Sequence, residues 1–241
     1  MSKLALITGA NKGIGLETAR QLASQGVRVL LGARDAAKGQ AAADSLKAEG
    51  LPVSFLLIDV TDEASIKAAA EKVAAEHAQL DILINNAGVL LENRGEAPSA
   101  LPLSLWRETF DTNVFGLVAV TQAFLPLLKR SPAARIVNLS STLGSITNHA
   151  DPHSHVYHSK LAAYSSSKAA VNAWTVQLAY ELRETPHKVN SVHPGWVQTD
   201  MGGEEAPMSI PDGAKTSVRL ALTGPDGPNG GFFHMNDTLP W

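Results

Sequence analysis

The 241-residue chain contains no cysteine, which excludes disulfide bonds, thiolate nucleophiles and cysteine-ligated metals. Its formal net charge is only −3, so electrostatics give no reason to expect nucleic acid or an anionic membrane as a partner. No uninterrupted apolar run approaches the roughly 18 residues that span a bilayer, and no cleavable leader pattern is present. We therefore expect a cytoplasmic protein that acts on small molecules.

Short apolar runs alternate with longer helical patterns, with no repeat or linker that would divide the chain. One domain is therefore expected over residues 1–241. The runs lie at 4–8, 28–31, 53–58, 82–85, 135–139, 188–192 and, more weakly, 231–234, and the helical patterns at 16–24, 36–49, 63–76, 105–128, 164–183 and 212–222. Near-continuous apolar strands suit a parallel sheet that is covered on both faces. The sequence predicts a doubly wound α/β sheet of about seven parallel strands with helices on both faces.

Polar or glycine-rich clusters follow five of these strands, at the sheet edge where ligands bind in such folds. After the first strand, Gly9, Gly13 and Gly15 allow a tight turn and a close approach of the backbone to a pyrophosphate. Their spacing differs from the familiar Gly-x-Gly-x-x-Gly pattern, and a simple strand-to-helix turn is the alternative. The loop favours a dinucleotide site.

The charges after the second strand indicate which dinucleotide binds. Asp35 lies about 20 residues from Gly15, as a ribose-binding carboxylate of an NAD site does. The strand, however, ends with Ala33, so Asp35 fits better as the N-cap of the next helix. Arg34 directly after this strand and Lys12 in the glycine loop are then two cations with no carboxylate beside them, which favours NADPH over NADH. The alternative interpretation is that both are solvated surface charges.

Tyr164 and Lys168 are four residues apart and therefore share one face of a helix. A phenol with an ordinary pKa of about 10 needs help to exchange protons near neutral pH, and a neighbouring ammonium supplies it. Tyr157 and Lys160 form a similar pair, but their spacing is three and no alanine-rich helix follows them. A proton donor beside a dinucleotide site indicates hydride transfer.

These motifs make the chain resemble the short-chain dehydrogenase/reductase family, and within it the NADPH-dependent carbonyl reductases. The resemblance covers essentially the whole chain. It rests on Thr-Gly-Ala-Asn-Lys-Gly-Ile-Gly at 8–15, Ala-Arg-Asp at 33–35, Asn-Asn-Ala-Gly at 85–88, Tyr-x-x-x-Lys at 164–168 and His-Pro-Gly-Trp-Val-Gln-Thr-Asp-Met at 193–201. It implies a Rossmann-type fold and reversible reduction of a carbonyl to an alcohol by hydride from NADPH.

The resemblance also implies roles for individual residues. Tyr164 would be the general acid, and Lys168 would lower its pKa and bind the nicotinamide ribose. Ser141 would orient the carbonyl, with Ser140 as the alternative hydroxyl. Asn113 would hold a water of the proton relay, unless it merely interrupts its helix.

The implied cofactor and substrate contacts follow the first six of the seven predicted strands. With Tyr164 and Lys168, the cofactor contacts are Gly9, Asn11, Lys12, Gly13, Ile14, Gly15, Arg34, Asp59, Val60, Asn86, Ala87, Gly88, Pro194, Gly195, Val197 and Thr199. Leu143, Trp196 and Met201 flank the reacting centre and favour a hydrophobic ketone or aldehyde, although Trp196 could instead belong to the core.

Residues 148–160 lengthen the connection between Ser141 and Tyr164 beyond that of compact family members. This segment carries His149, His153, His155 and His158, but beyond Asp151 it has none of the carboxylates that usually support metal-bound histidines, so no metal is expected. The insertion is shorter than in larger carbonyl reductases, which leaves a homo-oligomer possible.

Three other functions compete with carbonyl reduction. A catalytically silent NADP(H)-binding sensor would not need all four of the proposed catalytic residues. A sugar-nucleotide epimerase or dehydratase also uses Tyr-x-x-x-Lys, but usually has a larger C-terminal lobe than the roughly 75 residues found here after Lys168. A methyltransferase would share only the glycine loop.

Overall fold

A computed structural model describes residues 2–93 and 95–241 of the protein. The described residues form one eight-stranded sheet in the order β3-β2-β1-β4-β5-β6-β7-β8. Its strands are β1 (Leu4–Ile7), β2 (Arg28–Ala33), β3 (Val53–Leu57), β4 (Ile82–Asn85), β5 (Arg135–Leu139), β6 (Lys188–Val192), β7 (Phe232–His234) and β8 (Asp237–Thr238). All neighbouring strands are parallel except β7 and β8, which pair antiparallel.

The helices connect these strands in the predicted alternation. They are α1 (Gly13–Ser24), α2 (Ala36–Ala48), α3 (Glu63–Glu76), α4 (Leu103–Phe110), α5 (Leu117–Leu128), α6 (Ile146–Ala150), α7 (Ala162–Glu181) and α8 (Ile210–Ala221). Short 3₁₀ turns lie at Pro98–Ala100 and Thr142–Gly144, and a π-helical turn at Asp111–Gly116 joins α4 to α5.

The sheet is apolar on both faces because its strands alternate side chains between two cores. On β1, Ala5 and Ile7 pack with α1, α2 and α8 in one core. Leu4 and Leu6 pack with α3, α5 and α7 in the other. Burial on both faces explains why the strands are almost continuously apolar. The doubly wound sheet predicted from the sequence is confirmed.

Three elements differ from the sequence prediction. The two residues of β8 are exposed and polar, so no apolar pattern marks them. The short helix α6 lies in the histidine-bearing insertion and begins after Ser145, whose hydroxyl accepts a hydrogen bond from the Asn148 amide. The predicted helix 105–128 is interrupted by the π-helical turn, which hydrophobic periodicity does not reveal.

The run Leu103–Leu128 is long and apolar enough to cross a membrane when judged by length and composition alone. The sequence expectation considered only uninterrupted apolar residues and therefore did not single it out. Buried core helices of soluble proteins pass the same test. In this fold α5 buries Val120, Phe124 and Leu127 against the sheet.

Candidate active site

A cleft of about 1020 Å³ lies at the carboxyl ends of the strands, around the point where the strand order reverses between β1 and β4. Its lining includes most of the residues predicted to contact a cofactor: Gly9, Asn11, Lys12, Gly13, Ile14, Gly15, Arg34, Asp59, Val60, Asn86, Ala87, Gly88, Tyr164, Lys168, Pro194 and Thr199, together with Met201 of the predicted substrate pocket. Gly195, Val197, Asn113, Ser141 and Leu143 are not among the residues that line this cleft, and Trp196 lines a smaller neighbouring pocket.

The glycine loop after β1 has three glycines that are required for two different reasons. Gly9 and Gly13 have φ angles of +62° and +57°, which favour glycine. Gly15 has an ordinary φ, but a Cβ there would lie 2.5 Å from the Asn86 side-chain nitrogen and 2.7 Å from the Gly9 oxygen. Asn86 donates hydrogen bonds of 2.9 and 3.0 Å to the Thr8 and Gly9 oxygens. Its side chain thus shapes the loop.

The charges beside this loop are arranged only partly as the sequence analysis expected. Asp35 caps α2 by accepting a 2.9 Å hydrogen bond from the Lys38 amide, and this bond lowers the pKa of the carboxyl group. Arg34 lines the cleft. Lys12 forms an exposed 2.6 Å ion pair with Asp200, a partner that the sequence analysis missed. At the end of β2, Arg34 therefore lines the cleft, whereas the Asp35 carboxylate is engaged in capping α2.

Tyr164 and Lys168 are both buried on one face of α7, and Lys168 Nζ lies 5.6 Å from the centre of the Tyr164 ring. Burial raises the pKa of Tyr164 to about 12, opposed by a hydrogen bond with the Ser141 side chain. Burial also lowers the pKa of Lys168 to about 8, and its ammonium donates a 2.8 Å hydrogen bond to the Leu139 oxygen. The pKa of Tyr164 is thus raised in this structure and not lowered as the sequence analysis expected, because desolvation outweighs the hydrogen bond with Ser141.

Two adjacent serines at the end of β5 have different partners. The Ser140 hydroxyl donates a 3.2 Å hydrogen bond to the Lys168 oxygen and so ties β5 to α7. The Ser141 oxygen accepts a 3.2 Å hydrogen bond from the Leu143 amide and also bonds the Tyr164 side chain. Ser141 is therefore the serine whose hydroxyl meets the phenol.

Asn113 lies in the π-helical turn and is almost completely buried. Its side-chain oxygen accepts a 2.8 Å hydrogen bond from the Val89 amide, and its nitrogen donates to the Val89 oxygen and the Ser167 hydroxyl at 2.9 and 3.0 Å. The side chain therefore joins the segment after β4 to α7. The helix is interrupted at Asn113, but its side chain bonds residues 24 and 54 positions away and not the local backbone that the alternative interpretation expected.

In the segment after β6, some of the predicted site residues are packed inside the fold and others are exposed. Gly195 has a φ of +97°, and a Cβ there would meet the Met208 sulfur at 2.5 Å. Val197 is buried and forms an isolated bridge with Met208. Trp196 is 43% exposed and its indole donates to the Gly202 oxygen at 2.7 Å, so the alternative that it belongs to the core is wrong.

In the insertion at 148–160, the ring of His149 lies against the backbone, whereas His153, His155 and His158 are exposed. His149 Nε2 lies 2.9 Å from the Leu143 oxygen, and Lys160 donates to the His149 oxygen at 3.1 Å. Lys160 also lies 4.6 Å from the Tyr157 ring centre, outside α7. Within residues 2–93 and 95–241, no cluster of three or more histidine and carboxylate side chains is placed to hold a metal ion.

Glu92 is the main site residue that sequence reasoning missed. Only 7% of it is exposed, and its carboxylate oxygens accept hydrogen bonds of 3.1 and 2.9 Å from the Ala163 and Tyr164 amides. No motif marks it, because its partners follow it by 71 and 72 positions. A buried carboxylate therefore contacts the backbone of the predicted general acid.

Comparisons with known proteins agree with this geometry. The family model for short chain dehydrogenases matches residues 3–209. The short-chain dehydrogenase anuI of Penicillium roqueforti is 40% identical over 228 residues, covering 92% of this chain and 89% of the fungal protein. Carbonyl reductase [NADPH] 1 of Sus scrofa is 34% identical over 278 residues, covering 100% of this chain and 94% of the pig protein.

A solved structure of NADPH-bound carbonyl reductase from chicken fatty liver superposes with a TM-score of 0.86 at 31% identity. The superposition covers 100% of this chain and 99% of the chicken protein. Since the family model and both relatives span most of the chain, the protein belongs to the short-chain dehydrogenase family of oxidoreductases and is similar to its carbonyl reductases.

Proposed function

We propose that the protein is an NADPH-dependent reductase that converts the carbonyl of a hydrophobic ketone or aldehyde to an alcohol, reversibly. The observation that carries the proposal is the buried pair of Tyr164 and Lys168 on the wall of the nucleotide-sized cleft, with the Ser141 side chain bonded to the phenol. The pig and chicken relatives that are named for NADPH support the choice of cofactor.

The residues of the cleft fit NADPH. The glycine loop lines the cleft and packs so closely on Asn86 that a Cβ at Gly15 would displace it, and this tight turn suits a pyrophosphate. Arg34 lines the cleft with the positive charge that a 2′-phosphate needs, and Lys12 lies in the same lining in an exposed ion pair with Asp200. The Asp35 carboxylate at the tip of β2 is engaged as a helix cap. We assign Asp59 and Val60 to the adenine, and Thr199 and Val197 to the carboxamide end. When bound, the cofactor supplies the hydride.

The chain supplies the proton and the orientation of the substrate. Tyr164 donates its phenolic proton to the carbonyl oxygen, and its raised pKa keeps that proton in place at neutral pH. Ser141 orients the same oxygen by a hydrogen bond. The Lys168 ammonium stabilises the phenolate that Tyr164 leaves behind, and it binds the ribose. We assign to Asn113 the water through which the phenol regains its proton.

The mouth of the cleft indicates the class of substrate. Met201 and Leu91 line the cleft with 45% and 38% of their surface exposed, and Trp196 lies beside Met201 with 43% exposed. Apolar side chains that stay exposed at a cleft are typical of a site that covers them with an apolar ligand. A hydrophobic carbonyl compound fits this mouth better than a phosphorylated sugar.

The test is NADPH oxidation, followed by absorbance, with a panel of aromatic ketones, aldehydes and diketones. The wild type should turn over, whereas Tyr164→Phe should lose at least about 100-fold in kcat, the usual contribution of a general acid. NADPH binding, measured by fluorescence titration, should survive in Tyr164→Phe. Tyr157→Phe is the matched control and should keep full activity, because Tyr157 lies outside α7 and the cleft lining.

A wild type that binds NADPH but reduces none of the panel would contradict the proposal and favour the silent sensor. A cytoplasmic location and the possible homo-oligomer stay predictions.

A further inference from the structure

Glu92 places a buried carboxylate at the N-terminus of the helix that carries Tyr164 and Lys168. The first four amides of a helix have no partner within it, and here the N-cap residue Leu161 provides no side-chain hydrogen bond. Glu92 satisfies two of these amides, those of Ala163 and Tyr164. Its negative charge also matches the positive end of the helix dipole. The cap of α7 thus comes from the segment after β4.

The contact closes a ring of hydrogen bonds around the general acid. From the amide of Tyr164 the ring passes to Glu92 and along the chain to Val89. Asn113 binds both backbone groups of Val89 and donates to Ser167 at 3.0 Å. Ser167 in turn donates a 2.7 Å hydrogen bond to the backbone carbonyl oxygen of Tyr164. The segment between Val89 and Glu92 is therefore held at both ends.

That segment also lines the cleft. Val89, Leu90 and Leu91 all belong to its wall, and Gly88 before them lies close to Asn113 and Lys168. A movement of this wall would reach the backbone of Tyr164 through Glu92. Because a displacement of about 1 Å can cost 100-fold in rate, the position of the phenol relative to the wall matters for proton donation.

We propose that Glu92 is a positioning residue of the reduction, which holds the first turn of α7, and with it Tyr164, at a set distance from the wall formed by Val89, Leu90 and Leu91. The inference rests on the proposed function. Glu92 itself does not contact the reacting atoms; it acts through the backbone amide of Tyr164.

Glu92→Gln tests this role, because a carboxamide keeps the length of the side chain but turns an NH₂ group toward one of the two amides. We expect kcat to fall about 10-fold to 100-fold while the KM for NADPH changes less than about twofold. Glu92→Asp keeps the carboxylate and should recover part of the lost kcat. Amide hydrogen exchange at Ala163 and Tyr164 should be faster in Glu92→Gln than in the wild type.

Asp81→Asn is the matched control. Asp81 is 8% exposed, and its carboxylate accepts hydrogen bonds from the Leu4 amide and the Ser131 hydroxyl at 2.8 and 2.7 Å. It directly precedes β4 and so lies at the amino ends of the strands, opposite the cleft at their carboxyl ends. Asp81→Asn should lower the melting temperature but leave kcat unchanged, which separates positioning from general destabilisation.

Two results would overturn the inference: a kcat of Glu92→Gln within twofold of the wild type, or amide exchange at Ala163 and Tyr164 that does not change. If Glu92→Asp loses as much kcat as Glu92→Gln although it restores amide protection, positioning through the cap is also wrong. Failure of the proposed function looks different, since the wild type itself would then reduce no carbonyl compound.

Discussion

Tyr164 and Lys168 are both shifted by burial toward their uncharged forms. A protonated phenol is the form that donates a proton to a carbonyl oxygen, whereas alcohol oxidation would need the phenolate. The raised pKa of Tyr164 therefore suits reduction. A hydrogen bond with the Ser141 side chain acts against this shift.

Reduction should lose activity as the pH rises through the pKa of Lys168. That pKa lies at about 8, below its ordinary value of 10.5, so the ammonium exists below pH 8 and the neutral amine above it. Because the ammonium stabilises the phenolate, kcat/KM should be flat below about pH 7.5 and fall tenfold per pH unit above about pH 8.5. A pH profile of kcat/KM for a fixed ketone measures this.

The comparison variant for this profile is Lys168→Arg, whose guanidinium keeps its charge throughout the range. It should have a lower kcat but no alkaline limb. A wild-type profile that stays flat to pH 9.5 would show that the charge of Lys168 does not control the reaction.

Arg34 should determine the preference for NADPH over NADH. A charge-assisted hydrogen bond is worth about 1.5–3 kcal/mol, so Arg34→Ala should lower kcat/KM for NADPH about 10-fold to 100-fold and leave that for NADH within twofold. Steady-state kinetics with both cofactors measure the ratio. Lys38→Ala is the control, because Lys38 is a nearby exposed cation outside the cleft lining. Equal losses with both cofactors would show that Arg34 does not recognise the 2′-phosphate.

At the scale of elements, the turn from β1 into α1 is where a single methyl group has the largest effect on the cleft. A Cβ at Gly15 would approach both Asn86 and the Gly9 oxygen to less than 3 Å. We therefore expect Gly15→Ala to displace the loop and weaken NADPH binding at least about 10-fold, since the phosphate site depends on close backbone approach.

Isothermal titration of NADPH into Gly15→Ala and Gly224→Ala measures this effect. Gly224 is the matched control, because neither glycine has a positive φ and a Cβ at Gly224 would meet nothing within 4 Å. Gly15→Ala that binds NADPH as tightly as Gly224→Ala would contradict the assigned phosphate site.

The elements that carry the site were predictable to different degrees. The ranges 82–85, 135–139 and 188–192 were predicted with the bounds that the structure has, because uninterrupted aliphatic runs mark buried parallel strands. The π-helical turn that presents Asn113 was not predicted. Its extra residue per turn depends on the contacts of Asn113 with Val89 and Ser167, which lie 24 and 54 residues away.

Across the whole molecule, the two edges of the sheet serve different purposes. The cleft occupies the carboxyl ends of the strands. At the opposite edge, Arg135 is 3% exposed and donates hydrogen bonds to the oxygens of Ala133, Ala134, Pro186, Thr223 and Gly224. Substitution at this edge should therefore affect stability without affecting catalysis.

Arg135→Met should lower the free energy of unfolding by about 3 kcal/mol, because several buried carbonyl groups lose their donor. Urea denaturation measures the loss, and kcat at 20 °C for the folded enzyme should stay within twofold of the wild type. A large fall in kcat with unchanged stability would show that the two edges are coupled.

The sequence by itself determined the fold class, the family and most of the cleft lining, because these depend on local patterns. Alternation of apolar runs specifies the sheet, and residues after parallel strands must meet at one edge. Even the role of Asp35 as a helix cap was predictable, since its partner Lys38 is three residues away.

Only the tertiary structure decided the environment of Tyr164, the proposed general acid. The raised pKa of Tyr164 comes from desolvation by the whole fold, and no short motif reports burial. The cap from Glu92 and the contacts of Asn113 join segments that are distant in the chain. The spacing of residues in the sequence therefore identifies the chemical groups of the site, whereas long-range packing determines their hydrogen-bond partners and their pKa values.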